Sequence, residues 1–484
     1  MRAFLVPILA CVLVHRLPAQ YELGAALGNY AGTDAITLNP ARGATQWPFA
    51  DVRMVGADVY AWNDLVSVSL SDRSLAGEVR NSIRGGVFGE ASASELLSPR
   101  DKKAILQVGV SGPGVSIVLG RGALAAGIRS RAMAGVHAVA SPLGRHIYHG
   151  LGFNEQRSMQ LDADGARLVS AAWSEASLSY AHLVLARDFN LLSFGATLRY
   201  MVGHAAASIN LNELSYTSTA TSGLEVHRVS GSYGLAMPGP FAGSGVGGDI
   251  GMVYERTVDE ADGYMPHRSG RGCTPLAYQY RIGFSILDLG GMHFSGAAAG
   301  AFDQGALSLA NYNRTGVNDA NDLDSLLNTA VGHRSHKGMW VGAPTAFAVQ
   351  YDQRLAHQVY VAFAGVQQLS SPAGDRLRAA NVMAFVPRLE TRYVELAVPV
   401  SVREYDLRRP GVGASLRLNG ITIGSDDLLP LFGRRDIRSV DVHFRVKWLI
   451  HRSPFCRGRR PGGERRAPGS PSALPCVAPG SRGR

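Results

Sequence analysis

Four groups of side chains have the types and spacing to do chemistry. Asp426 and Asp427 are adjacent carboxylates in the stretch GSDDLLP. Such a pair can divide acid and base roles once burial separates the two pKa values. His146 and His149 in GRHIYHG, and His333 and His336 in GHRSHKG, stand three apart. On a helical turn that spacing puts two imidazoles on one side, where they could ligate a metal. NDANDLD gathers Asp319, Asp322 and Asp324 with Asn318 and Asn321. These oxygen donors suit a hard cation, but the stretch lacks the glycine and the terminal glutamate of a calcium loop. None of the groups is a complete site. The aspartate pair reads as a turn before a short apolar segment, and neither histidine pair has a third ligand beside it. No serine, histidine and acid set carries a motif for nucleophilic catalysis. The chain reads as a non-enzyme with no catalytic residue, no metal site and no cofactor.

The elements that would carry these residues are strands. In VDVHFRVKWLI, Val440, Val442, Phe444, Val446, Trp448 and Ile450 alternate with Asp441, His443, Arg445, Lys447 and Leu449. LSFGATLRY places Leu192, Phe194, Ala196, Leu198 and Tyr200 against Ser193, Gly195, Thr197 and Arg199. YQYRIGFSI, GGDIGMVYE, TAFAVQYD, YVELAVPVSV and VGASLRL repeat the pattern. Side chains of a strand alternate between faces, so these strands are two-faced. A soluble sandwich buries the apolar face, whereas a membrane barrel turns it to lipid and the polar face to a lumen. Segments of roughly 9–13 residues match a tilted crossing of the bilayer. Tyr200, Tyr254, Tyr278 and Trp448 sit near strand ends, as an interfacial girdle would. The expectation is an all-β fold: an antiparallel transmembrane β-barrel of the outer membrane, with about 14 strands and a short N-terminal plug-like segment. The stretch Asn318–Gly338 reads as a long loop with a short helix near Leu323–Ala330.

Composition frames this reading. Ala3–Val14 is an apolar run behind Arg2, too short to cross a bilayer as a helix, and it reads as a signal peptide cleaved near Ala19 or Gln20. The net charge of +10 does not indicate a nucleic-acid partner, because eight Arg and one Glu of the last 34 residues supply +7 of it. That tail is dominated by Arg, Pro, Gly, Ala and Ser and should be disordered. A genuine basic extension and a frameshifted end both fit it, and removing it should leave folding intact. Four cysteines, one of them in the leader, leave an odd number and no C-x-x-C pair, so an exported chain without a disulfide framework is expected. The chain thus divides into a signal peptide at 1–19, an N-terminal hatch at 20–51, a barrel at 52–450 and a basic tail at 451–484.

GNYAGTDAITLNPA, with Asn39, Pro40 and Ala41, resembles the N-terminal segment of the long-chain fatty-acid transporter superfamily of outer-membrane barrels. The ordered series WSEASLSYAHLVL, FGATLRYMVGHAA, GGDIGMVYE, YRIGFSILDLGG, PTAFAVQYD, PRLETRYVELAVPVSV and LRLNGITIGSDDLLPLFG resembles an uncharacterised barrel family common in Bacteroidota. The first resemblance implies a hatch role for Asn39, Pro40 and Ala41. The Asn-Pro turn signal and the absence of strand alternation before residue 52 agree with it, and fit a plain periplasmic loop cap equally well. The polar faces put Arg199, Asp249, Glu255, Arg281, Asp441, Arg445 and Lys447 in the lumen. There they either pair with one another and close the bore or contact a substrate. Known relatives imply two roles. One is passage of small hydrophobic molecules across the outer membrane. The other is a barrel that docks a secreted or periplasmic protein. Partners are therefore outer-membrane lipid and either a hydrophobic small molecule or such a protein.

Overall fold

A computed structural model describes residues 22–86, 89–150, 153–220, 223–268, 270–305, 307–310, 333–369, 375–433 and 435–456. The leader, the Asn318–Asp324 cluster, the expected helix at Leu323–Ala330 and the tail from residue 457 lie outside these residues, as do the side chains of His333 and His336.

Fourteen antiparallel strands close into a barrel. They are β1 Ala50–Asn63, β2 Lys102–Leu119, β3 Gly122–Val139, β4 Arg167–Arg187 and β5 Asn190–Ala220. Strand β6 runs in two pieces, Gly223–Ala236 and Gly243–Thr257, and β7 is Tyr278–Gln304. Strand β8 is His333–Gly342 with Ala346–Arg354, β9 is Val359–Gln368 and β10 is Val382–Glu390. Strand β11 is Val394–Ala397 with Val400–Arg403, and β12 is Gly411–Val412 with Ala414–Leu418. Strands β13, Ile421–Ser425, and β14, Ser439–Ile450, complete the ring. The break in β11 falls at Pro399, which has no N–H to give a ladder. Strand β14 pairs with β1 from Ala50 opposite Ile450 to Trp62 opposite Ser439, so no edge is left open.

The two mouths differ. At one, tight turns such as Gly120-Arg121, Asp188-Phe189 and Asn419-Gly420 join the strands, and Gly120, Asp188 and Asn419 all take positive φ. At the other, long connections carry the helices Leu75–Ile83 and Ser141–His149 and the hairpin of Val66–Leu70 with Ala91–Glu95. The expected strand length falls short on this side. Strand β5 has 31 residues and β7 has 27. Their ladders continue past the apolar band, where Gln160–Asp162 still pairs with Ser215–Thr217.

Alternation sets the solvent of each face. Phe194, Leu198 and Tyr200 are exposed on the outer wall while Ser193 and Arg199 between them are buried inside. In β14, Phe444, Trp448 and Ile450 point out and Asp441, His443, Arg445 and Lys447 point in. An outer wall this apolar needs lipid against it. No described helix is long and apolar enough to cross a membrane. Tyr278 corrects the girdle. It is 0% exposed and faces the bore, because a register shift at Arg256/Thr257 turns it inward, away from the face of Tyr280.

The cysteine expectation is also corrected. Cys273, in the connection between β6 and β7, is disulfide-bonded to Cys456, just after β14, with Cα atoms 5.7 Å apart and a sequence separation of 183. An odd count does not prevent one pair from forming. Ordered structure therefore runs six residues past Ile450, with Ser453 buried.

Placing a charge on the outer wall tests this facing. Phe444→Arg should destabilise the barrel in lipid by about 2–4 kcal/mol if the position lies near the midplane, read by urea unfolding in bilayers. An unchanged midpoint would reverse the assignment of faces in β14.

Candidate functional site

The bore is occupied by the segment Glu22–Phe49. It forms a short helix at Leu23–Ala26, a second at Thr33–Leu38 and a 3-10 turn at Pro40–Thr45, and most of it is buried. It touches β2, β3, β4, β5 and β6 with one side and β10, β12 and β13 with another, so it lies within the ring of strands. Leu23, Leu27 and Leu38 pack on an alanine- and valine-rich inner wall built from Ala346, Ala348, Ala362, Ala364, Val366 and Val382.

Asn39, Pro40 and Ala41 fix the segment to β5, β6 and β7. Asn39 caps the 3-10 turn, its Oδ1 accepting from Ala41 N at 3.1 Å, with Pro40 at the first position, where no N–H is needed. Its Nδ2 donates to the carbonyls of Met252 and Phe284, each at 3.2 Å. The approach is possible because the wall there is glycine. A Cβ at Gly195 would stand 2.5 Å from Ala41 N, and one at Gly251 would overlap Asn39 Oδ1. Ser285 Oγ donates to Leu38 O at 2.7 Å and Ser193 Oγ to Ala41 O at 3.2 Å.

Carboxylates of the wall receive the segment's free N–H groups. Asp426 accepts from Leu23 N at 2.9 Å and Gly24 N at 3.1 Å. Glu390 accepts from Asn29 N at 2.6 Å and Tyr30 N at 3.2 Å. Asp51 accepts from Thr33 N at 2.7 Å and Thr33 Oγ1 at 3.0 Å.

The lumen charges fall into three groups. Arg199 bonds Asp249 and Asp288, and Arg131 reaches Asp288 at 2.8 Å, all on the wall between β3 and β7. Asp441 pairs with Arg403 at 3.1 Å, which also holds Asp427 at 3.0 Å. The third group binds wall to plug. Arg445 bonds Glu22 of the plug and Asp58 of β1, the latter at 2.8 Å. Lys447 bonds Asp34 and the carbonyl of Ala31. Arg281 holds Glu255 at 2.7 Å and Asn29 Oδ1 at 3.1 Å, while Glu255 accepts from Thr45 Oγ1 at 2.8 Å. Such groups are costly to bury alone and tolerable when paired and hydrogen-bonded.

Asp426 and Asp427 thus hold the plug and Arg403 instead of standing free in a turn. His146 Nδ1 lies 2.8 Å from the Tyr216 hydroxyl and His149 Nε2 2.8 Å from Glu95, so the two rings go to different partners. Among the described residues no three His, Cys, Asp or Glu converge as metal ligands. Glu390, Asp51, Asp352 and Arg388 belong to the site although they are absent from the sequence-derived set. The signal for Arg388, Glu390 and Asp352 was present in PRLE and QYD, where each follows an outward-facing Pro387, Leu389 or Tyr351.

Towards the long-loop mouth the inner wall becomes apolar. Met133, Trp173, Met201, Met292, Phe294 and Met339 face one another there with Val169 and Val341. The connection between β9 and β10 folds in over them. Leu377 and Ala379 are buried in this cluster, Asp375 accepts from Asn210 of β5 at 2.7 Å, and Arg378 lies against Gly135 of β3.

Two substitutions separate anchor from wall. Arg445→Met strips the cation from Glu22 and Asp58 and should cost about 3–5 kcal/mol of stability, read by denaturant unfolding. Gly251→Val should instead leave the barrel folded and expel Asn39, seen as protease cleavage within residues 22–49. Resistance equal to that of the parent chain would mean that the glycine wall does not seat the plug.

No curated protein matches the sequence. Among solved structures, the toluene transporter TbuX of Ralstonia pickettii is similar at 11% identity and TM-score 0.40, over 87% of this chain and 95% of that one. The toluene transporter TodX of Pseudomonas putida is similar at 9% identity and TM-score 0.33, over 88% and 96%. The translocator domain of the autotransporter NalP of Neisseria meningitidis follows at 6% identity and TM-score 0.29, over 82% and 88%. Residues 90–426 match the model of the family of unknown function DUF5723, and the chain belongs to that family.

Proposed function

We propose that this barrel passes small hydrophobic molecules across the outer membrane, entering from the long-loop side, with Glu22–Phe49 as the hatch on the periplasmic side. The observation that carries this reading is the inner wall above the plug. A water-filled channel has a polar interior. Here the wall presents Met133, Met201, Met292 and Met339 with Trp173 and Phe294. Methionine is flexible and polarizable, so such a wall can re-pack around apolar guests of different shape. The Leu-on-alanine contact between plug and β8–β10 continues the apolar surface downward, and small side chains leave room there once the plug shifts. Arg199, Asp249, Glu255, Arg281, Asp441, Arg445 and Lys447 act as positioning residues that hold the hatch and wall in register, without touching cargo. We assign no catalytic residue.

A second reading, docking of a secreted or periplasmic protein, is favoured by one observation. The plug and its ion pairs fill the bore, and the connection between β9 and β10 closes it again above. Mass spectrometry of the barrel released gently from outer membranes separates the two. A stoichiometric apolar small molecule, lost in Met292→Lys, is the expected result. A stoichiometric protein partner with no small molecule would overturn passage in favour of docking.

A further inference from the structure

We propose that the Cys273–Cys456 bond is a redox-operated strap that locks the hatch in place from below. The two cysteines come from opposite sides of the mouth. Cys273 belongs to the connection between β6 and β7, and Cys456 follows β14, seven strands away in a ring of fourteen. For the sulfurs to meet, the β6–β7 connection reaches across the short-turn mouth, its His267 touching Gln46 and Phe49 of the plug beside the paired ends of β1 and β14.

Both arms of the strap grip the hatch. On the Cys273 side, Ala261 and Tyr264 pack in one cluster with Ala44 of the plug. His267 Nε2 donates to Gln46 O at 3.3 Å, and its ring meets Phe49 edge-on at 5.7 Å. On the Cys456 side, the His451 ring lies edge-on to Tyr30 of the plug at 5.5 Å and to Tyr393 of the β10–β11 turn at 5.8 Å. Phe455 lies under the Arg268 guanidinium at 5.7 Å, so the arms also touch each other beside the bond. Burial lowers the pKa of both imidazoles, that of His451 to about 4, and neutral rings are the forms that pack against aromatic neighbours.

The covalent link matters because each noncovalent contact is small. An edge-on ring pair or one hydrogen bond holds a surface segment weakly. A bond between residues 183 apart removes the independent motion of both arms. With the strap closed, the segment Asn39–Phe49 can shift upward or sideways but cannot drop out of the short-turn mouth. Opening requires two electrons. A dithiol attacks one sulfur, the S–S bond breaks through a mixed disulfide, and two protein thiols and one oxidised reagent result. The inference concerns access to the hatch and stands whether the cargo is a small molecule or a protein.

Hydrogen exchange read by mass spectrometry tests it on the full chain in lipid nanodiscs, oxidised and then reduced with dithiothreitol. Peptides within residues 39–49 should exchange roughly tenfold faster after reduction, while β4 and β5 keep their protection. Cys456→Ser should show the fast rate without reductant and gain nothing from it. Should that variant fail to assemble, reduction of the assembled parent chain gives the same readout. Unchanged plug exchange, with bond cleavage verified by intact mass, would overturn the strap. So would peptide mapping that finds Cys273 free or joined to Cys476 in the oxidised protein.

Discussion

A chain segment placed inside a barrel must find partners for its own backbone, and that requirement shapes the bore. Glu22–Phe49 has only two short helices and one 3-10 turn, so a set of its N–H and C=O groups finds no partner within the segment. Water cannot serve them in a packed lumen. The wall does so instead. Asp426, Glu390 and Asp51 accept N–H groups, and Ser285, Ser193 and Lys447 donate to carbonyls. Each of those wall residues is charged or polar, buried and otherwise expensive. The lumen of this protein is polar where the plug's backbone meets the wall, and apolar above it, where the β9–β10 connection presents Leu377 and Ala379 instead.

Close approach is the second consequence. Asn39 reaches carbonyls of two neighbouring strands only because Gly195, Gly251 and Gly283 leave the inner wall bare at that spot. Elsewhere on the circumference the plug is held through side chains, by Leu23, Leu27 and Leu38 on the alanine-rich wall and by the polar Arg445, Lys447, Arg281 and Glu390. The seat is therefore a tight backbone contact on one side and a set of apolar contacts and longer polar struts on the other. That arrangement fixes position with few residues.

Much of this could be read from the sequence, for a definite reason. Period-two alternation in β5, β7 and β14 reports which side chains face lipid, and the same pattern assigns Arg199, Arg281 and Lys447 to the interior without any tertiary information. The Asn39-Pro40 turn is likewise local. What the sequence hides is what depends on register and on chain crossing. Tyr278 turned inward because of a single register shift, which no hydropathy pattern records. Asp426 looked like a loop residue because its partners, Leu23 and Gly24, are some 400 positions away. Cys273 and Cys456 are joined by ring closure, which brings opposite strands' connections to one mouth. The apolar cluster above the plug was missed for a related reason. Met133, Met201 and Met339 each occupy one inward position on a different strand, and only the barrel assembles them.

The ion pairs also constrain how the bore can open. Arg199 with Asp249, Asp288 and Arg131, and Arg403 with Asp427 and Asp441, are wall-to-wall sets whose partners all stay if the plug moves. Arg445 and Lys447 are different. Loss of the plug would leave Arg445 with Asp58 alone and Lys447 with Asp51 alone, and Glu390 and Asp426 would lose the N–H groups they accept. Removing one partner from a buried charged cluster costs about 3–5 kcal/mol, and several clusters would be affected together. Wholesale ejection is thus far more expensive than a local shift of Asn39–Phe49, whose links to the wall are neutral hydrogen bonds apart from the Thr45–Glu255 contact. The part of the plug with the cheapest wall contacts is also the part that the proposed Cys273–Cys456 strap would restrain, through Ala44, Gln46 and Phe49.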